Sequence, residues 1–159
     1  HSRHLEHATR TEAYIGEYTE TGECVVAFRG TSGLQDWSTN LNFPAFTPTE
    51  YAPSFFGVHS GFFSSFMSVA PAFLVEMANL VASARCTTYL FTGHSLGGAL
   101  AQLAAMDFVL SPGNPISSST REVHCTFLSA GCCIFPSASL TCTAFTGGSN
   151  CHVRIPSSR

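Results

Sequence analysis

The sequence predicts an α/β fold, a mostly parallel sheet with helices on both faces, and three stretches carry that prediction. Thr87-Thr88-Tyr89-Leu90-Phe91-Thr92 is short, β-branched and aromatic, the composition of a buried strand. Ala99 to Phe108 consists largely of strong helix formers, and Gly93-His94-Ser95-Leu96-Gly97-Gly98 separates it from the strand. Upstream, Cys24-Val25-Val26-Ala27-Phe28 reads as a second buried strand that runs directly into the turn-forming Arg29-Gly30-Thr31-Ser32-Gly33.

The other elements follow in chain order. The opening segment, with His1, His4 and His7, is polar and is expected to be a solvated or frayed end rather than a metal site. Glu12 to Tyr18 alternates like a half-exposed strand. Phe43 to Phe56 carries Pro44, Pro48 and Pro53 among aromatics and threonines and reads as a loop over the sheet's edge. Phe62, Phe66, Val69, Phe73, Met77 and Leu80 recur at three- and four-residue spacing, which predicts a helix packed on the sheet. Pro71 either kinks that helix or starts its main part. His124 falls in a predicted strand and His152 at the start of another.

Composition sets the outer limits. With 159 residues, 45% hydrophobic and 11% charged, the chain can bury a core, and one domain over residues 1–159 is expected. A net charge of −3 argues against a nucleic-acid partner, which requires a basic surface. The uncharged run from Val123 to Val153 is broken too often by Ser, Thr, Gly and Pro for a transmembrane helix, so no transmembrane segment is expected. Seven cysteines favour a secreted or otherwise oxidising location, and their odd number leaves at least one unpaired. Their spacing matches no zinc template and does not reveal their pairing; no metal is expected.

The chemistry concentrates at Ser95. A G-x-S-x-G sequence between a strand and a helix is the setting of a nucleophile elbow, in which a serine sits on a tight turn with its hydroxyl exposed above the sheet. Gly93 and Gly97, two residues to either side, leave out the Cβ atoms that would keep strand and helix apart. The helix N-terminus places its positive dipole end beside Ser95, where an oxyanion would develop. In such an architecture one oxyanion donor is the N–H after the nucleophile, here Leu96, and the other comes from the loop after an earlier strand, here Thr31. The competing reading of each stretch is an ordinary glycine-bearing turn.

These residues resemble the class 3 (fungal-type) lipase family of the α/β-hydrolases. Four blocks stand in the family's order: Val25-Val26-Ala27-Phe28-Arg29-Gly30-Thr31, Asp36-Trp37 with Asn40-Leu41, Val58-His59-Ser60-Gly61-Phe62, and Thr92-Gly93-His94-Ser95-Leu96-Gly97-Gly98-Ala99-Leu100-Ala101. The resemblance implies an α/β-hydrolase-type sheet and a serine hydrolase acting on carboxylic esters of lipids, with no cofactor. It implies Ser95 as nucleophile, Thr31 and Leu96 as oxyanion donors, and a lid region around Trp37. The implied partners are a lipid or ester substrate and transient contact with a lipid interface.

Beyond Thr126-Phe127 the pattern departs from the family. Triad order in this fold is Ser, then Asp or Glu, then His. Asp36 precedes Ser95, Asp107 lies on the helix leaving it, and Glu122 stands where the family has no triad acid. His152-Val153-Arg154-Ile155 is similar to the family strand leading to the catalytic aspartate, which places the acid and the histidine beyond Arg159 and makes the chain an incomplete domain. Another alignment puts Asn150 or Cys151 in the acid's place. His94, His59, His124 and His152 are read as structural. A catalytically incomplete fragment or pseudoenzyme is therefore the second reading, and a soluble esterase or acyltransferase on the same scaffold the third.

Overall fold

The computed structural model describes residues 2–6, 11–30, 45–46, 58–110, 122–128, 140–145 and 148–154. Its strands are β1 (Ser2–Glu6), β2 (Glu12–Tyr18), β3 (Glu23–Phe28), β4 (Ala45–Phe46), β5 (Val58–His59), β6 (Thr88–His94), β7 (Glu122–Leu128), β8 (Leu140–Phe145) and β9 (Gly148–Arg154). Two helices are described, α1 (Ser60–Ser83) and α2 (Leu96–Leu110). A seven-stranded sheet has the order β1-β2-β3-β6-β7-β9-β8, and β4 pairs with β5 apart from it.

The parallel part of the sheet is β3-β6-β7, joined through α1 and α2. Antiparallel strands extend it on both sides: β1 and β2 before β3, β9 and β8 after β7. The sheet is thus mixed around a parallel centre. The two described helices share one face of it. Two successive crossovers that step in the same direction across a sheet deposit their helices on the same side. The aromatic core shows it directly, because Phe91 of β6 meets Phe73 of α1 at 6.4 Å between ring centroids and Phe108 of α2 at 5.7 Å.

Strand alternation supplies the other half of that core. Ala13 and Ile15, Cys24, Val26 and Phe28, and Tyr89 and Phe91 are buried under the helices, each two residues from the next on its strand. From α1 come Phe66, Val69, Phe73 and Met77, the predicted stripe; Phe62 and Leu80 pack against its margin. By length and composition α1 could also cross a membrane, but its buried stripe gives it the place of a core helix on this sheet.

Of the two readings of the N-terminal segment, solvated or frayed, the structure favours the first at His4: Ser2 to Glu6 pairs with Gly16 to Glu12, and the exposed His4 ring stacks on Tyr14 at 4.5 Å. Of the two readings of Pro71, the start of the helix's main part is excluded, since α1 runs unbroken from Ser60 to Ser83. Proline removes the bond to the carbonyl four residues earlier, and both Pro71 and Met67 lie on the exposed side, where water can meet that carbonyl.

The end of the sheet near the β2–β3 turn is tied covalently. Cys24 on β3 is bonded to Cys86, ahead of β6, with 5.7 Å between their Cα atoms. The turn carbonyl of Gly22 accepts from the N–H groups of Thr87 and Thr88 at 2.8 and 3.2 Å. Arg85 Nε lies 2.9 Å from Glu17 Oε1 in the same region.

Candidate active site

The opposite end of the parallel strands carries Ser95. It is the single residue between β6 and α2, and it holds φ at 55°, in the left-handed region that a residue with a Cβ rarely occupies. Its carbonyl accepts from Gly98 N–H at 3.0 Å and from Ala99 N–H at 3.4 Å, so the helix begins directly on the serine. The N–H groups of a helix's first turn have no intrahelical acceptor, and here that turn opens with Leu96 and Gly97. The positive end of the α2 dipole therefore adjoins Ser95, which is half-buried.

So sharp a turn is sterically possible only without side chains at its flanks. A Cβ on Gly93 would lie 2.2 Å from the Gly97 carbonyl carbon, and one on Gly97 would lie 2.2 Å from Phe28 O. Strand β6, helix α2 and the end of β3 thus meet backbone to backbone at these two positions. The chain leaving β3 keeps to the same junction, because a Cβ on Gly30 would come within 2.5 Å of His94 O. Thr31, the next residue, lies outside the described residues, as does Trp37.

A link that sequence reading missed fixes the exit of β3. Arg29 N–H donates to Glu12 O at 3.0 Å, and its guanidinium donates to Glu12 Oε1. The other carboxylate oxygen, Oε2, stands 3.6 Å from His4 Nε2. The signal lay in the β2–β3 register: Ala13 faces Phe28, so Glu12 and Arg29 are the next opposed positions. The Cys24–Cys86 bond was equally hidden, since spacing does not encode partners across a 62-residue separation.

Of the remaining candidate residues, His124, His152, Glu122 and Asp107 stand apart from the elbow, whereas His94 adjoins Ser95 within it. Leu90 of β6 is in register with His124, and His124 with His152, so both histidines sit about 16 Å along the strands from Ser95. Glu122 faces Thr88, further away still, and Asp107 is on the fourth turn of α2. His94 is exposed at the end of β6, and Ala45 faces His59 in the small sheet. The strand alignment of the tail needs correction, because β9 runs antiparallel to β7. Arg154 consequently faces Glu122, at the end of the sheet opposite Ser95, and the strand does not lead toward the elbow. Asn150, in register with Thr126, and Cys151, with Cys125, are mid-strand.

The chain is similar to known proteins in sequence and in fold. The chain is 35% identical to the secreted mono- and diacylglycerol lipase 1 of Fusarium solani over 99 residues, 60% of this chain and 29% of that protein. It is 32% identical to a lipase of Rhizomucor miehei over 98 residues, 61% of this chain and 26% of that one. The chain thus spans less than a third of either relative. Among solved structures, lipase II from Rhizopus niveus superposes with a TM-score of 0.60 at 28% identity, over 70% of this chain and 42% of its own. Rhizomucor miehei triacylglyceride lipase superposes with a TM-score of 0.62 at 23% identity over the same shares, a likeness of fold. Residues 25–133, more than half of the chain, match the family described as Lipase (class 3), and the chain belongs to that family.

Proposed function

We propose that residues 1–159 form one partial domain of a serine hydrolase that cleaves carboxylic esters of lipids through an acyl-enzyme on Ser95. The observation that carries the reading is the serine's φ of 55° at the strand-to-helix junction, with glycine on both sides where backbone contacts leave no room for a Cβ. Ser95 Oγ would attack the ester carbonyl, the alcohol would leave, and water would then release the acid. The N–H groups of Leu96 and Thr31 would hold the oxyanion, each such donor contributing about 10²–10³ in rate. A histidine base and an acid that orients it complete such a mechanism. The region of Trp37 would form the lid and meet a lipid surface transiently.

The family relationship supports ester chemistry, and the Fusarium relative's mono- and diacylglycerol activity suggests acylglycerols as the substrate class. That relative is secreted, and the Cys24–Cys86 bond suits the same oxidising route for this protein. A second reading, a catalytically incomplete unit, is favoured by the distance of His124 and His152 from the elbow. A fluorophosphonate probe separates the two, with Ser95→Ala as control and mass spectrometry to locate the adduct. Labelling at Ser95 of the folded chain means that a base activates it; a folded chain that stays unlabelled carries the scaffold alone. Emulsified against soluble esters then distinguishes a lipase from a soluble esterase.

A further inference from the structure

Five cysteines remain beyond the Cys24–Cys86 bond, and the sheet sets three of them side by side. Cys125 of β7 is in register with Cys151 of β9, and Cys151 with Cys142 of β8. Directly opposed residues of adjacent strands share a face of the sheet. The row continues through Phe91 of β6, which is in register with Cys125 and buried beneath the helices. The three cysteines therefore occupy the helix-bearing face, whereas His124, His152 and Thr141 form the next row, on the other face.

Antiparallel geometry makes the two flanks of Cys151 unequal. A residue's N–H and C=O point to the same neighbouring strand, so Cys151 makes a hydrogen-bonded pair with one partner and a non-hydrogen-bonded pair with the other. The Cα separations of the two kinds, about 5.5 and 4.5 Å, both lie within the range disulfides span. Cys125 and Cys142 are two strands apart, roughly 10 Å, which is beyond that range. The middle position is thus the one that can bond to either side.

We propose that Cys151 forms a second disulfide with one cross-strand neighbour, Cys125 or Cys142, and that the third cysteine of the row stays a thiol beside that bond. The oxidant is a low-molecular-weight disulfide of the glutathione class. One cysteine thiolate attacks it and releases one small thiol. The opposed thiolate then displaces the second small thiol from the mixed disulfide. The two protons given up by the protein end on the two small thiols, and the sulfur oxidation states balance. The inference depends on strand register and is independent of any role of Ser95.

Disulfide mapping of the oxidised, folded chain tests it. Free thiols are blocked at low pH without reduction, and chymotrypsin then cuts after Leu128, Leu140 and Phe145, separating Cys125, the Cys132-Cys133 pair, Cys142 and Cys151. The expected product is a linked peptide joining Cys151 to Cys125 or Cys142, split by reductant, with the third cysteine of the row alkylated. Cys151 recovered as a free thiol, or linked to Cys132 or Cys133, overturns the proposal. In Cys151→Ser both Cys125 and Cys142 should become alkylated; a bond between those two would overturn the register on which the inference rests.

Discussion

At Ser95 the backbone sits where a residue with a Cβ pays about 1–2 kcal/mol, and the surrounding contacts hold it there. Ser95→Gly removes that strain at the expense of a more flexible unfolded chain, so stability should stay level or rise by up to about 1 kcal/mol while any ester turnover is lost. Urea titration reads the first effect, and a marked loss of stability would contradict the strain assignment. Gly97→Ala should do the reverse, because its new methyl meets Phe28 O and Arg29 C on the neighbouring strand. A loss of about 1–3 kcal/mol or more is expected, with a lower urea midpoint. The lack of room for a side chain at Gly93 and Gly97 was legible in the sequence because a missing side chain has a local meaning. The Glu12–Arg29 link was not, since it exists only once the β2–β3 register is set.

Among the elements, α1 meets the sheet through Phe73 among other core residues, and Phe73 is fully buried against Phe28, Phe66 and Phe91. Phe73→Ala should cost about 3–5 kcal/mol, measured as a fall in the denaturant midpoint at unchanged slope. Pro71, exposed in the interior of the same helix, predicts the opposite sign. Pro71→Ala should raise stability, by up to about 3 kcal/mol, and a decrease would mean that the helix needs the shape proline imposes. The sequence revealed α1 through its periodic stripe and β3 and β6 through their apolar runs. It hid the direction of β9, because a strand's composition does not say which way the chain runs along its neighbour. The first strand was hidden for a related reason: Ser2 to Glu6 has a polar composition and is held by pairing with β2 and by the His4–Tyr14 stack.

At the scale of the whole molecule, the Cys24–Cys86 bond is the strongest single constraint among the described residues. Closing 62 residues of sequence should stabilise the native state by about 4 kcal/mol on a chain-entropy estimate, less if the reduced chain keeps residual structure. Unfolding with and without reductant measures it, and an unchanged midpoint would show that the bond constrains nothing that unfolding releases. The same bond has a kinetic side. Parallel strands come together only after a long crossover has been closed, which makes their pairing the slow part of forming such a sheet. Cys24 faces Tyr89 across that pairing, and Cys86 stands two residues before the start of β6, so the oxidised chain begins its search with the two strands already within reach. Refolding from denaturant should then be faster for the oxidised protein than for the reduced one, with the search for β6 largely completed before folding starts.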